Sequence, residues 1–169
     1  MKLYNTNEIR ATKEWPYAVA SGCVVYRYNE GAPQVLLLRR EGGHINDPNQ
    51  KDASYNLPKG HVAFGESLET TALRETEEEA GVVVELETYL GSTIHEFVHP
   101  RHKMFNSKTT HYFAARWLSD VQQMDHEHDD KEWVSLERAE ELLSAPGVKR
   151  NEAQFISHLR DYLELTSAA

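Results

Sequence analysis

Between Gly60 and Val82 the chain reads GHVAFGESLETTALRETEEEAGV, with six acidic residues from Glu66 to Glu79. Four of these (Glu75, Glu77, Glu78 and Glu79) fall within five positions. Ser67 suits the N-cap of a helix running to Ala80, and Gly81 suits its left-handed C′ position. Like charges three and four residues apart on one helix repel by a few tenths of a kcal/mol per pair. A helix that keeps them needs something to offset that repulsion, and a bound divalent cation is the simplest candidate. Hard cations such as Mg²⁺ take oxygen ligands, and Mg²⁺ uses a few carboxylates together with water and substrate phosphates.

The rest of the chain arranges itself around this helix. Residues 1–16 form a polar leading arm. Tyr17–Tyr28 and Gln34–Arg39 read as two strands joined by the turn Glu30–Pro33, a hairpin. Glu41–Ser54 is polar, rich in Gly, Asn and Asp, and long for a loop, so it is a lid, a substrate-side wall or a surface insertion. Leu68, Ala72, Thr76 and Ala80, with Leu73, give the helix a narrow apolar face. Val82–Val98 reads as one long strand or two short ones broken near Gly91. His99–Lys108 is a basic, His-containing loop, and Thr109–Leu118 is a further strand. Trp133-Val134 starts a short strand, and Ser135 caps a helix from Leu136 to Leu143. Asn151–Leu165 places Phe155, Leu159, Tyr162 and Leu163 at helical spacing. Strands before and after a central helix, without a regular βαβ repeat, predict an α/β (α+β) fold in which helices sandwich a mixed sheet. At 169 residues the whole chain, 1–169, fits one domain.

Charge and cysteine usage narrow the partners. A net charge of −9 leaves no basic surplus for phosphate backbones, so no stable nucleic-acid complex is expected. The single cysteine, Cys23, cannot form an internal disulfide and sits in an apolar run, which points to a buried core thiol and a reducing, cytoplasmic setting. The sequence has neither an 18-residue apolar run nor a cationic-then-apolar start, so neither membrane span nor signal peptide is expected. Monomer and homodimer both remain open.

Spacing sorts the carboxylates. Glu75, Glu78 and Glu79 stand at i, i+3 and i+4 and share one helical face. Glu66 precedes the helix and can reach the same place from the loop. Arg74 is the one Lys or Arg in the stretch, placed to pair with a carboxylate and fix its orientation. Gly60 allows close backbone approach, so that its carbonyl can also face a cation.

Gly60, Glu66, Arg74-Glu75, Glu78-Glu79 and Gly81 resemble the Nudix box, G-x5-E-x7-R-E-U-x-E-E-x-G-U, where U is a bulky apolar residue. All seven fixed identities match, an agreement expected by chance at a frequency of order 10⁻⁸ per starting position. Thr76 departs from the pattern at the first U. The resemblance implies a Nudix-type fold and metal-dependent hydrolysis of a nucleoside diphosphate linked to another group. It further implies Mg²⁺, with Mn²⁺ as a substitute. The metal ligands would be Glu75, Glu78 and Glu79, with Glu66 and Gly60; the catalytic candidates are Glu78, Glu79, Glu127 and Arg74. Pro58–His61 (PKGH), Arg74–Gly81 and the spacing from Glu127-His128 to Trp133 are similar to the asymmetrical dinucleoside tetraphosphate hydrolase branch. Lys131 stands where that branch often has a base-stacking Tyr. Glu127 is either an accessory carboxylate or a charged loop residue. Lys59, Arg39, Lys103 and Lys108 are candidates to meet phosphate oxygens, and Tyr112 to stack on a base.

The implied partner is a small nucleotide, foremost a dinucleoside polyphosphate. Diphosphoinositol polyphosphates and nucleoside triphosphates are alternatives, as is a Nudix module that binds a nucleotide without cleaving it. The last usually loses a box glutamate, and this sequence keeps them all. His95, His99 and His102 approach zinc-ligand spacing, without an accompanying Cys or HExxH pattern.

Overall fold

The two strands of the first hairpin, β1 (Tyr17–Asn29) and β2 (Ala32–Arg40), pair only near their turn, from Tyr26↔Val35 to Asn29↔Ala32. Beyond it they splay. In the computed structural model, which describes residues 7–42, 52–99, 101–121, 130–146 and 151–169, two short strands fill the fork. β3 (Ser54–Asn56) pairs with β2, and β4 (Lys59–His61) pairs with β1 through Ala20↔His61 to Gly22↔Lys59. Gly22 makes the second pairing possible, because a Cβ there would stand 2.1 Å from the Pro58 carbonyl oxygen. The fork delivers the Pro58–His61 segment to the helix α1 (Leu68–Ala80).

Two long strands complete the sheet on the other side of β1. β5 (Val82–Val98) and β6 (Phe105–Asp120) form an antiparallel ribbon, and β6 runs parallel to β1. β7 (Asp130–Ser135) lies along β2. The result is a mixed seven-stranded sheet with the path β3-β2-β1-β6-β5 and β4 and β7 at its margins. α1 covers one face; α2 (Leu136–Leu143) and α3 (Ala153–Ser167) cover the other. Period-2 alternation explains the layering. Val24, Tyr26, Tyr112 and Ala114 meet Phe155, Ile156 and Leu159 of α3, whereas Cys23, Val25, Phe113 and Ala115 meet Ala72 and Ala80 of α1. Each Leu, Ile or Phe buried there contributes about 1.5–3 kcal/mol. Cys23 is buried, as expected, and burial pushes its thiol pKa up to about 12.

Of the two readings of Val82–Val98, the single long strand holds: β5 continues through Gly91, where a register shift and a φ of +124° bend the strand without ending it. Two local expectations need correction. The basic His99–Lys108 loop is shorter than expected: Phe105–Lys108 already belong to β6, paired with residues Val98 to His95. On α1, Leu73 is exposed, while Thr71, Glu75 and Glu79 are buried with Ala72, Thr76 and Ala80. The docked face of this helix therefore contains charge as well as apolar surface. Residues 7–9 of the leading arm lie against the end of β4, with a bridge Glu8↔Ala63 and an Ile9 amide bond to the Val62 carbonyl at 2.7 Å.

Candidate active site

α1 is fixed at both ends. Ser67 Oγ accepts from the Thr70 amide at 3.1 Å, and Gly81 adopts φ +62° with its amide bonded to the Glu77 carbonyl. The last turn of α1 contains no basic residue. Lys131 on β7 supplies one from outside, its Nζ donating to the Ala80 carbonyl at 3.0 Å and pairing with Asp120 at 3.1 Å. At the position where the sequence resemblance expects a stacking Tyr, this chain has a lysine engaged at the helix end.

Arg74 is the centre of the acidic stretch. Its Nε and Nη2 donate to the two carboxylate oxygens of Glu66 at 2.8 and 2.9 Å. Its Nη1 donates to Glu75 Oε1 at 2.6 Å and lies 3.5 Å from Glu78 Oε1. Nη2 also reaches the His61 carbonyl at 3.2 Å. Glu66 Oε2 accepts further from Thr71 Oγ1 at 2.7 Å and the Ala63 amide at 3.2 Å. The Arg74 guanidinium, with Thr71 and the amide, holds the Glu66 carboxyl down at about 2, against burial, and Arg74 in turn is raised. Glu66 here anchors the loop and Arg74, and Arg74 is placed to position its carboxylate neighbours, the pairing its place in the stretch suggested.

Glu75, Glu78 and Glu79 divide by burial. Glu75 and Glu79 are 1% and 4% exposed, whereas the Glu78 side chain is 44% exposed. Gly60 lies directly on the Glu75 carboxyl group: a Cβ on Gly60 would stand 1.9 Å from Glu75 Cδ. Glu79 Oε2 accepts from the Lys59 amide at 2.8 Å. Among the described residues no three His, Cys, Asp or Glu side chains already stand at metal-binding separations. Glu75 is drawn toward Arg74, and Glu79 toward Lys59. Carboxylate oxygens beside a glycine at which no side chain fits are nonetheless the donor type that a hard cation takes.

Lys59 also belongs to a second feature, a cavity of about 240 Å³ lined by Lys59, Thr93, His95, Phe97, Lys108, Thr110, Tyr112 and Glu152. Lys59 thus belongs to two places, its amide donating to Glu79 and the residue lining the cavity with Lys108. The other predicted substrate residues fare differently. Arg39 pairs with Glu41 and Glu132 at the end of β2, and Lys103 sits in the turn after β5; neither lines the cavity. Tyr112 lines it but is fully buried, its ring 4.7 Å from Phe155 and its hydroxyl bonded to Glu152 Oε1 at 2.6 Å. Core packing leaves it no open face for stacking. The stacked pair His95 and Phe97, 5.0 Å apart, offers an aromatic surface instead. The zinc reading fails: His99 stacks on His102 in the turn while His95 faces the cavity. Glu127 and residues 43–51 of the Glu41–Ser54 loop lie outside the described residues.

Glu152 was missed by sequence reasoning. A lone Glu before a helix carries no local signal of burial. The cavity face was recoverable in part, since Thr93, His95 and Phe97 alternate on β5 opposite Lys108 and Thr110 on β6.

A model of the NUDIX domain matches residues 16–159. The chain belongs to the Nudix family. It is 37% identical over 134 residues to Nudix hydrolase 21, chloroplastic, of Arabidopsis thaliana, covering 75% of this chain and 60% of that protein. It is 33% identical over 125 residues to the asymmetrical bis(5′-nucleosyl)-tetraphosphatase of Caenorhabditis elegans, covering 71% of this chain and 80% of that protein. The chain thus spans about three fifths of the plant relative and four fifths of the nematode one. A C. elegans Ap4A hydrolase crystallised as a binary complex superposes with a TM-score of 0.66 at 25% identity, covering 87% of this chain and 98% of that one. The Nudix box identified in the sequence runs from β4 through the Glu66 loop into the Arg74-centred helix α1. No helix among the described residues is long and apolar enough to cross a membrane.

Proposed function

We propose that this Nudix protein is a Mg²⁺-dependent pyrophosphohydrolase acting on a dinucleoside polyphosphate. The observation that carries the reading is the double duty of Lys59: its amide holds Glu79 beside Gly60 and Glu75, while the same residue lines the cavity with Lys108. A polyphosphate spanning that distance would meet cations at one end and the glutamate face at the other. Likeness to the nematode tetraphosphatase supports the substrate class. Glu75, Glu78 and Glu79, with the Gly60 carbonyl, would hold the metal, which when bound polarises phosphoryl oxygens and activates water.

The chain's own residues do the remaining work. Arg74 and Glu66 orient Glu75 and Glu78, Lys59 and Lys108 bind phosphate oxygens, and the His95–Phe97 pair carries a base. Glu127 is the proposed accessory carboxylate. Cytoplasmic placement belongs to the same reading, supported by a lone buried thiol.

The test is a Mg²⁺ panel of diadenosine tetraphosphate, nucleoside triphosphates, nucleotide sugars and a diphosphoinositol phosphate. Preferred turnover of diadenosine tetraphosphate is the expected result. Preference for another member replaces the substrate, and no turnover of any points to a binding module.

A further inference from the structure

Glu152 is the residue immediately before α3, and it is 1% exposed. A carboxylate this deep is costly to bury unless its oxygens are hydrogen-bonded. Oε1 accepts from the Tyr112 hydroxyl at 2.6 Å, and Oε2 accepts from the Leu57 amide at 3.3 Å. Leu57 opens the segment that crosses the β1–β2 fork, and the groups that follow are engaged one after another. The Pro58 carbonyl accepts from the Cys23 amide at 3.1 Å. The Lys59 amide donates to Glu79 at 2.8 Å, and Gly60 rests on Glu75. This four-residue strap is tied to the α3 side by Glu152 and to the α1 side by the two buried box glutamates.

We propose that Glu152 is a positioning residue for the hydrolysis. It sets the height of the strap in the fork, and so fixes where the Lys59 amide holds Glu79 and where Gly60 meets Glu75. The proposal rests on the pyrophosphohydrolase reading for its kinetic consequence only. What matters is reach, because the side chain must satisfy Leu57 and Tyr112 at once. Gln preserves that reach: its carbonyl oxygen accepts from the Leu57 amide, its amide donates to the Tyr112 oxygen, and the charge is lost. Asp keeps the charge and loses one methylene, about 1.5 Å of reach, enough to take the 3.3 Å Leu57 contact beyond hydrogen-bond distance.

The experiment compares E152D with E152Q in the full chain. In metal-free protein, hydrogen exchange at the amides of Leu57, Lys59, Gly60 and His61 should quicken in E152D and stay near wild type in E152Q. With diadenosine tetraphosphate and Mg²⁺, E152D should lose about tenfold in kcat, the scale seen when a supporting hydrogen bond behind a metal site is removed. Its KM should move far less, and it should need more Mg²⁺ for half-maximal rate, a shift that a merely reduced folded fraction does not produce. E152Q should recover most of the loss. E152Q as impaired as E152D, or unchanged exchange at residues 57–61 in E152D, overturns the proposal. A wild-type protein that turns over no phosphoanhydride overturns the functional reading instead, and leaves the exchange comparison standing as the test of the strap.

Discussion

Gly60 presses its Cα against the carboxyl group of Glu75, so closely that a methyl group on Gly60 would stand 1.9 Å from Glu75 Cδ and 2.1 Å from Oε2. Glu75 has little freedom to yield, since it is buried and bonded to Arg74 at 2.6 Å. G60A should therefore lose stability by about 1–3 kcal/mol through overpacking, and lose Mg²⁺-dependent turnover with it. The double variant G60A/E75A removes the clash along with the carboxylate. Its stability loss in urea unfolding should be smaller than the sum of the two single losses. Additive losses would mean that the two groups do not meet.

Glu78 is the box glutamate in the most open position, its side chain 44% exposed and 3.5 Å from Arg74. Removing its charge should leave the fold nearly untouched, within about 0.5 kcal/mol, as for most surface changes. The functional loss should be large, roughly 10²–10³ in kcat, typical when a group stabilising transition-state charge is removed. Thermal melts and turnover measured on E78Q check both halves. Near-normal kcat would remove Glu78 from the metal site.

The acidic helix was legible in the sequence because its determinants are local. Ser67 and Gly81 mark its ends, and the i, i+3, i+4 spacing places Glu75, Glu78 and Glu79 on one face. Contacts between distant segments were not legible. Glu152 meets the Leu57 amide across 95 residues and the Tyr112 hydroxyl across 40, and Lys131 reaches the Ala80 carbonyl across 51. Nothing in the neighbours of Glu152 or Lys131 marks either as special; the fold alone brings their partners near. The fork between β1 and β2 was hidden for the same reason. The Val- and Tyr-rich run Tyr17–Tyr28 predicts a strand, and not which of two short segments will share its edge. Tyr112 shows the converse error, an aromatic on a strand read as a ligand platform when it belongs to the core.

Glu66 should give the protein a distinct acid limb. Arg74, Thr71 and the Ala63 amide hold its carboxyl at about 2, below its ordinary 4.5. A depressed folded-state pKa contributes stability that is complete above the unfolded value and is lost as pH falls through the folded one. Stability should therefore be insensitive to this group above pH 5.5 or so, and decline from about 4.5 toward about 2, by about 2 kcal/mol after allowing for partial exposure. E66Q should be less stable than wild type at pH 7 and show a shallower decline between pH 5 and pH 2. Parallel acid limbs for the two proteins in urea titrations would show that Glu66 is not the group responsible.

Thr76 occupies the box position where a bulky apolar residue is usual, and it is fully buried. Its Oγ1 makes no hydrogen bond of ordinary geometry among the described residues, although it interacts with the Cys23 sulfur, a weak acceptor. A buried hydroxyl so weakly satisfied still bears part of the roughly 1–3 kcal/mol that desolvation costs an unpartnered one. Valine has nearly the same shape and a similar helix propensity, and it carries no polar atom to satisfy. T76V should therefore stabilise the protein by about 1 kcal/mol, a rise in Tm of about 2–4 °C for a chain of this size. Because Glu75 and Glu79 keep their own contacts, kcat should stay within about twofold, the variation expected when neither charge nor backbone changes. A lower Tm in T76V would show that the Thr76 hydroxyl is bonded in solution and contributes to the core on the α1 face.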